Sequence, residues 1–242
     1  MSEPALPEVV VSAPERFVDE AAAEIAGAIV DSIAARGGCR IALAGGGTPK
    51  PIYDALANRE DVDWHRVRFF WGDERAVGPE HDASNYRMVR ETLLDPIGAT
   101  DDQAFRIRGE DDPERAASDY ERLLGDAPLD LVLLGMGGDG HTASLFPGDP
   151  GVDETERRVV VTTSPVEPTT RISLTFRAID EAHRVLLLVA GGGKADRLAE
   201  VWQQVGSGRP TLPAARIAPG PGRLQWRLDE PAASKLPTKG TP

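Results

Sequence analysis

Short apolar runs alternate with stretches of helical periodicity along most of the chain. The apolar runs predict strands at residues 9–11, 40–44, 67–71, 129–134, 158–163, 171–175, 184–190 and 214–217. Between them, apolar residues at three- and four-residue steps predict helices, of which the longest begins at Pro14 and is ended by Gly37 and Gly38. Strands that alternate with helices are typical of an α/β fold, so we predict a doubly wound, mostly parallel sheet.

The apolar run at residues 129–134 is nearly unbroken. Such a run is expected in a central strand of a parallel sheet, which is covered on both faces. Four glycines follow it between positions 135 and 140, together with Asp139 and His141. Because ligands of open α/β sheets bind beyond the carboxyl ends of the strands, we predict the reactive site here. The glycines would let the backbone approach a ligand closely.

Two other predicted strands also end in glycine-rich turns. The first turn contains Gly45, Gly46, Gly47 and Thr48 and leads into a helix, so its backbone N–H groups and the Thr48 hydroxyl suit a phosphate. A tight turn without a ligand is the alternative. The second turn ends in Lys194, where a cation at a helix N-terminus is disfavoured unless an anion accompanies it. A solvated lysine is the alternative for this position.

Charged and titratable side chains also lie near the predicted strand ends. His141 is the candidate general base, because an imidazole titrates near neutral pH and takes a proton from water. A carboxylate would orient the ring, and three remain open for this role: Asp139, Asp73 and Glu74. Arg75 and Arg171 lie at strand boundaries on the same edge of the sheet, so we expect them to contact an anion rather than to be surface charges.

Several other motifs are absent or weak. Gly135, Gly137 and Gly140 fit G-x-G-x-x-G, but the next predicted strand carries no acid that would bind a ribose. Neither glycine turn has the spacing of a nucleoside triphosphatase loop. A G-x-S-x-G nucleophile motif is missing, so Ser84 and Ser144 are interpreted as helix-start residues. His and Cys spacings typical of metal ligands are absent too, which argues against a metal site.

Composition narrows the class of protein further. The chain has 242 residues, a formal net charge of −12 and a sequence pI near 4.8, which argues against binding to nucleic acid or to anionic membranes. No leader or long apolar span is recognisable, so we predict a cytoplasmic protein, monomeric or a small homo-oligomer. Cys39 is the only cysteine and excludes an internal disulfide. We expect one α/β domain over residues 1–242 with a disordered tail at 234–242.

Several segments together make the sequence recognisable. ALAGGGTPKPIYDAL, FFWGDERAVGPEHDASNYRMVRETLL and LVLLGMGGDGHTASLFPG resemble segments of the 6-phosphogluconolactonases, as do PTTRISLTFRAI and LLLVAGGGKADRL in the same order. The resemblance implies a Rossmann-like fold shared with glucosamine-6-phosphate deaminases and ribose-5-phosphate isomerases. It also implies hydrolysis of 6-phosphoglucono-δ-lactone in the pentose phosphate pathway, without a metal or organic cofactor.

The resemblance also implies roles for individual residues. The catalytic candidates are His141, Asp139, Asp73 and Arg75. The 6-phosphate would lie on Gly46, Gly47 and Thr48, together with Lys194 and Arg171. The remaining candidates for contact with the substrate are Gly45, Gly138, Asn85 and Arg87.

Two rival functions remain at this point. Glucosamine-6-phosphate deaminases share the Asp-Gly-His core, but they carry Asp-Glu-Tyr where this chain has Asp73, Glu74 and Arg75. They also follow the histidine with Asn-Glu-Pro, whereas Phe146 here occupies the position of that glutamate. Both differences favour a lactonase. The second rival is a sugar-phosphate sensor without activity, although this acidic chain offers no basic helix-turn-helix segment for DNA.

Overall fold

The computed structural model describes residues 6–205, 207–208, 210–220 and 222–237. Its strands are β1 (Glu8–Ser12), β2 (Cys39–Leu43), β3 (Val67–Trp71), β4 (Asp73–Arg75), β5 (Leu131–Gly135), β6 (Val159–Thr163), β7 (Thr170–Leu174), β8 (Arg184–Val189) and β9 (Leu224–Asp229). Its helices are α1 (Pro14–Arg36), α2 (Pro49–Ala57), α3 (Asn85–Val89), α4 (Pro113–Leu124), α5 (Phe176–Asp180), α6 (Ala195–Gln204) and α7 (Glu230–Ala233). A π-helical segment, Arg90–Leu94, continues α3.

Six strands form a parallel sheet in the order β1-β9-β8-β5-β2-β3. β5 lies between β8 and β2, and the side chains of its four apolar residues are fully buried. The predicted α/β fold with a mostly parallel sheet and a central strand near residues 129–134 is therefore confirmed. A continuous apolar run identifies this strand because both faces of it are covered.

A second, antiparallel sheet has the order β4-β7-β6 and was not predicted as a separate unit. β4 follows β3 after Gly72, whose N–H donates to Leu43 O at 2.9 Å and whose carbonyl accepts from Leu174 N at 2.8 Å. Gly72 thus connects the end of the parallel sheet to β7. In the β4–β7 pair, Arg75 lies directly opposite Arg171, which brings two distant parts of the sequence together.

Two predictions near the carboxyl end were wrong or incomplete. The strand expected at residues 214–217 is a 3-10 helix, Pro213–Arg216, which begins with a proline that has no N–H for a strand ladder. The strand β9 was missed, although its alternation of apolar and polar residues is a pattern that indicates a strand. The polar residues of β9 are buried, and their side chains form an ion pair and a helix cap. Arg227 Nη2 donates to Glu20 Oε2 at 2.6 Å, and Asp229 accepts from Ala232 N at 2.8 Å.

The expected disordered tail falls mostly outside the described residues, since 238–242 are not among them. Residues 234–237 are described and follow α7, with Leu236 N donating to Ala233 O at 2.9 Å. The organisation into a single domain over residues 1–242 stays a prediction. No helix among the described residues is both long enough and apolar enough to cross a membrane.

Two tyrosine hydroxyls hold the carboxyl ends of neighbouring strands. The Tyr53 hydroxyl of α2 donates to Ala44 O and accepts from Ala44 N, both at 2.9 Å. The Tyr120 hydroxyl of α4 makes the same pair of bonds with Trp71 O at 2.8 Å and Trp71 N at 2.7 Å. Both phenols are fully buried, so they satisfy backbone groups that the strand ladders leave unpaired.

Replacing Tyr120 with Phe removes both bonds and leaves the buried N–H and C=O of Trp71 without partners. We expect a loss of about 1–3 kcal/mol in the free energy of unfolding, measured by equilibrium urea denaturation. Tyr86→Phe is the matched control, since among the described residues its hydroxyl has no hydrogen bond. Equal unfolding midpoints for the two variants would contradict this role of Tyr120.

Candidate active site

The carboxyl ends of β2, β3, β5 and β8 and the segments after them surround a cleft of about 560 Å³. The cleft brings together parts of the chain that are far apart in the sequence. It is lined by the glycine turn after β2, the start of β4, the loop after β5, the β6–β7 connection and Lys194. The turns predicted to lie at one edge of the sheet therefore line the same cleft.

An acid and an imidazole pair at the β5 side of this cleft. Asp139 Oδ1 lies 2.6 Å from His141 Nδ1 and also accepts from His141 N at 3.1 Å. Partial burial by itself raises the pKa of Asp139, but the hydrogen bonds and the positive charge of the His141 imidazolium outweigh it and lower the pKa. Asp139 is thus a carboxylate that orients His141. This contact engages Nδ1, and no hydrogen bond to Nε2 is found among the described residues.

The glycines of this loop make room for that pair. A Cβ atom on Gly137 would lie 2.1 Å from His141 Nδ1 and 2.6 Å from Asp139 Oδ1, so any side chain there would displace both. Gly140 has a φ of +86°, a conformation that favours glycine. The loop is closed by Gly137 N donating to His141 O at 2.9 Å. Close packing around the imidazole is therefore one reason for glycine here.

The other two candidate carboxylates have different partners. Asp73 Oδ2 accepts from Ser144 Oγ at 2.6 Å, and its backbone carbonyl accepts from Asn85 Nδ2 at 2.8 Å. Glu74 is buried at the start of α3, where it accepts from Asn85 N at 2.7 Å and from Tyr86 N at 2.8 Å. Burial raises the pKa of Glu74 despite these bonds. Asp73 lines the cleft, whereas Glu74 holds the helix that carries Asn85.

Two arginines face each other across the β4–β7 pair. Arg75 is fixed by bonds from its Nη1 to Asn85 Oδ1 at 2.8 Å and to Ala83 O at 2.6 Å. Arg171 is only 5% exposed, and its buried Nε and Nη1 have no hydrogen-bond partner among the described residues. Burial and the charge of Arg75 lower the pKa of Arg171. Like charges opposite one another destabilise a sheet, so this pair suits an anion that both can contact.

The glycine turn after β2 forms another wall of the cleft. A Cβ on Gly45 would lie 1.8 Å from Asn85 Oδ1, and Gly46 has a φ of +99°. Thr48 precedes α2 without using its hydroxyl as a cap, which leaves the helix N-terminus open toward the cleft. Lys194 reaches the same space, because its Nζ lies 4.0 Å from the position of a Cβ on Gly138.

Not every predicted position lies at the site. Arg87 does not line the cleft, and its guanidinium pairs with Asp82 and with Glu91, the latter at 2.8 Å. Ser84 caps α3 by accepting from Arg87 N at 3.2 Å, as predicted. Ser144 does not start a helix as predicted. It lies in a turn that is closed by Leu145 N donating to Thr142 O at 2.9 Å, and its hydroxyl bonds to Asp73.

Several residues of the cleft had no contact assigned from the sequence, among them Ser164, Val166 and Phe146. Ser164 and Val166 of the β6–β7 connection line it, and no motif signals them. The ring of Phe146 lies against that of His141, with 4.6 Å between centroids. Within the described residues, no three His, Cys, Asp or Glu side chains come together in a way that could hold a metal ion.

The sequence matches the family model "Glucosamine-6-phosphate isomerases/6-phosphogluconolactonase" over residues 12–226. The chain belongs to this family. A relative called 6-phosphogluconolactonase from Streptomyces coelicolor is 40% identical over 243 residues, covering 92% of each chain. The crystal structure of 6-phosphogluconolactonase from Thermotoga maritima is 30% identical and superimposes with a TM-score of 0.83, covering 93% of this chain and 100% of that chain.

The same fold also occurs in a solved structure with a different enzyme name. A monomeric glucosamine-6-phosphate deaminase has a TM-score of 0.78 at 23% identity, covering 94% of this chain and 99% of that chain. At this identity the likeness shows a shared fold and nothing about the reaction. The choice between lactonase and deaminase therefore depends on residues in the cleft.

The steric role of Gly137 is open to a direct test. In Gly137→Ala we expect the Asp139–His141 contact to break and the protein to lose about 1–3 kcal/mol of stability through overpacking. The imidazole signals of His141 in NMR spectra report the contact, and urea denaturation reports the stability. Gly135→Ala is the control, because a Cβ there meets nothing within 4 Å. Unchanged His141 signals in Gly137→Ala would refute the steric role.

Proposed function

We propose that this protein hydrolyses 6-phosphoglucono-δ-lactone to 6-phosphogluconate. The observation that carries the proposal is an oriented imidazole, His141 on Asp139, in one cleft with an Arg–Arg pair, a lysine and an open helix N-terminus. His141 and Asp139 supply a general base. The arginines and the lysine suit a phosphorylated substrate. The relatives named above, which carry the name 6-phosphogluconolactonase, support the same substrate.

In the proposed mechanism, His141 Nε2 takes a proton from a water molecule as its oxygen attacks the lactone carbonyl. Asp139 holds the Nδ1–H tautomer and stabilises the imidazolium that forms. The tetrahedral intermediate collapses by cleavage of the ring C–O bond, and the imidazolium returns its proton to the departing ring oxygen. No covalent enzyme intermediate is required. Two donors in the cleft are candidates for the oxyanion: the N–H of Gly138 and the guanidinium of Arg75.

The phosphate end of the substrate would lie at the start of α2. Gly46, Gly47 and Thr48 offer backbone N–H groups and a hydroxyl, and Lys194 and Arg171 add positive charge. Asn85 is fixed by Asp73 and Arg75, so it is suited to bind a sugar hydroxyl in a defined orientation. Arg87 is left out of the proposed site because it pairs with carboxylates outside the cleft.

The ring of Phe146 favours the lactonase over the deaminase. It packs against His141 at the position where the deaminase family is expected to carry a glutamate, so no carboxylate is available there to assist ring opening. A coupled assay for 6-phosphogluconate over the spontaneous background tests the proposal, with ammonia release from glucosamine 6-phosphate assayed in parallel. Binding of the lactone without turnover would instead support a sensor.

The base assignment is tested by His141→Gln. We expect the variant to lose about two to four orders of magnitude in kcat, because proton transfer by a positioned group typically contributes 10²–10⁴-fold. His81→Gln is the control, since His81 is exposed and does not line the cleft. A His141→Gln enzyme with unchanged turnover above the spontaneous rate would eliminate the general-base role.

The phosphate assignment is tested by Lys194→Ala with two substrates. For the phosphorylated lactone we expect KM to rise about tenfold or more, the effect of losing one charge-assisted contact. For unphosphorylated gluconolactone we expect little change. Lys50→Ala is the matched control, because Lys50 is exposed at α2 and does not line the cleft. Equal changes in KM for both substrates would show that Lys194 does not bind the phosphate.

A further inference from the structure

A second cavity lies at the opposite end of the parallel sheet. It has a volume of about 700 Å³ and is formed by the amino-terminal ends of β2 and β3 and by the segments that lead into β5 and β8. A backbone bond from Asp130 N to Arg40 O, at 2.9 Å, and another from His183 N to Leu129 O, at 2.9 Å, hold these segments together. These bonds fix the positions of the segments that line the cavity. The cavity shares no lining residue with the cleft.

The charge of this cavity is opposite to that of the chain. The protein has 39 acidic and 27 basic residues, yet the cavity is lined by four arginines and two histidines against two aspartates. The basic residues are Arg36, Arg40, Arg66, Arg68, His65 and His183. Such a local excess of positive charge on an acidic protein favours an anionic ligand.

The two aspartates are already engaged by other groups. Asp130 accepts from Arg36 Nε and, at 2.7 Å, from Arg40 N, while Asp102 accepts from Thr100 Oγ1 at 2.6 Å. The Arg40 guanidinium bonds only to neutral carbonyls, one of them Ala127 O at 2.8 Å. For Arg68, no ion pair or side-chain hydrogen bond is found within the described residues. The charges of Arg40 and Arg68 thus have no carboxylate bonded to them.

Arg40 and Arg68 repeat the arrangement seen in the cleft. They lie directly opposite each other in the β2–β3 register, as Arg75 and Arg171 do in the β4–β7 register. Burial comes first in lowering the pKa of Arg40, and the charges of Arg158 and Arg68 lower it further. Arg171 shows the same direction for the same kinds of reason. Like charges opposite one another destabilise a sheet, and an anion that contacts both arginines would offset this repulsion.

We infer that this cavity is a second binding site, which takes a small ligand with more than one phosphate group. Arg40 and Arg68 contact the phosphate oxygens, while His65, His183 and Arg66, which pairs with Asp63 at 3.1 Å, line the rest of the cavity. Phe105 supplies an apolar surface beside the arginines and stacks on Phe70, with 4.9 Å between the ring centroids. The volume lies within the range of small-molecule sites. The site is separate from the one proposed for the lactone.

Pyrophosphate is the probe for this site. Two-dimensional NMR spectra of the full chain, at constant ionic strength, resolve the amides of Gly38 and Val67 at this cavity from those of Gly46 and Gly138 in the cleft. We expect a saturable shift of Gly38 and Val67. Arg68→Ala should weaken it by about tenfold, the loss of one charge-assisted contact, while Gly46 and Gly138 titrate as before. Arg68 is exposed, so the variant should fold, and its dispersed spectrum checks this.

Arg16→Ala is the matched control, because Arg16 is an exposed arginine on α1 away from the cavity. It should leave the titration of Gly38 and Val67 unchanged. The absence of a saturable shift at these two amides, or an equal weakening by Arg16→Ala, would overturn the inference. A second titration uses ATP. If ATP binds more tightly than pyrophosphate and shifts the Phe105 amide, the ligand of this site is a nucleotide. If the two bind equally, the site recognises the phosphate chain alone.

Discussion

The parallel register of β2, β3, β5 and β8 is the constraint on which the rest of the site depends. Because these strands run in the same direction, everything that follows them in the sequence emerges at one edge of the sheet. An oriented imidazole, a phosphate-suited turn and a lysine from separate thirds of the chain meet there without any of them being close in sequence. The antiparallel sheet borders the same edge, because Gly72, which follows β3, bonds to Leu43 of β2 through its N–H and to Leu174 of β7 through its carbonyl.

The sequence predicted those parts that depend on local pattern. The central strand and the glycine turns were predicted from unbroken apolar runs and clustered glycines, and the structure bears them out. The choice of Asp139 over Asp73 and Glu74 could not be made in advance, because it depends on where three-dimensional neighbours lie. The alternation in β9 does indicate a strand, but the burial of its polar face depends on ion pairs with α1, which no linear pattern reveals.

Two glycines are needed at the site because a side chain in either position would occupy the space of a neighbouring group. Gly45 leaves space for the amide of Asn85, and Gly137 leaves space for the Asp139–His141 pair. Glycine clusters are often explained by turns alone, yet at these two positions the space beside the backbone matters more than its conformation. A glycine requirement of this kind belongs to a contact with a particular partner residue, so it becomes visible only when the fold is known.

The opposed arginines of β4 and β7 have a consequence for the balance between stability and activity. Their repulsion, together with the burial of Arg171, acts against folding whenever the protein stands alone. An anion bound between the two arginines, as proposed above, would relieve this repulsion, and that relief would contribute to the free energy of binding. Replacing one arginine with a neutral residue would therefore stabilise this sheet and, if the proposed site is correct, weaken its hold on an anion, which is a trade-off between stability and function.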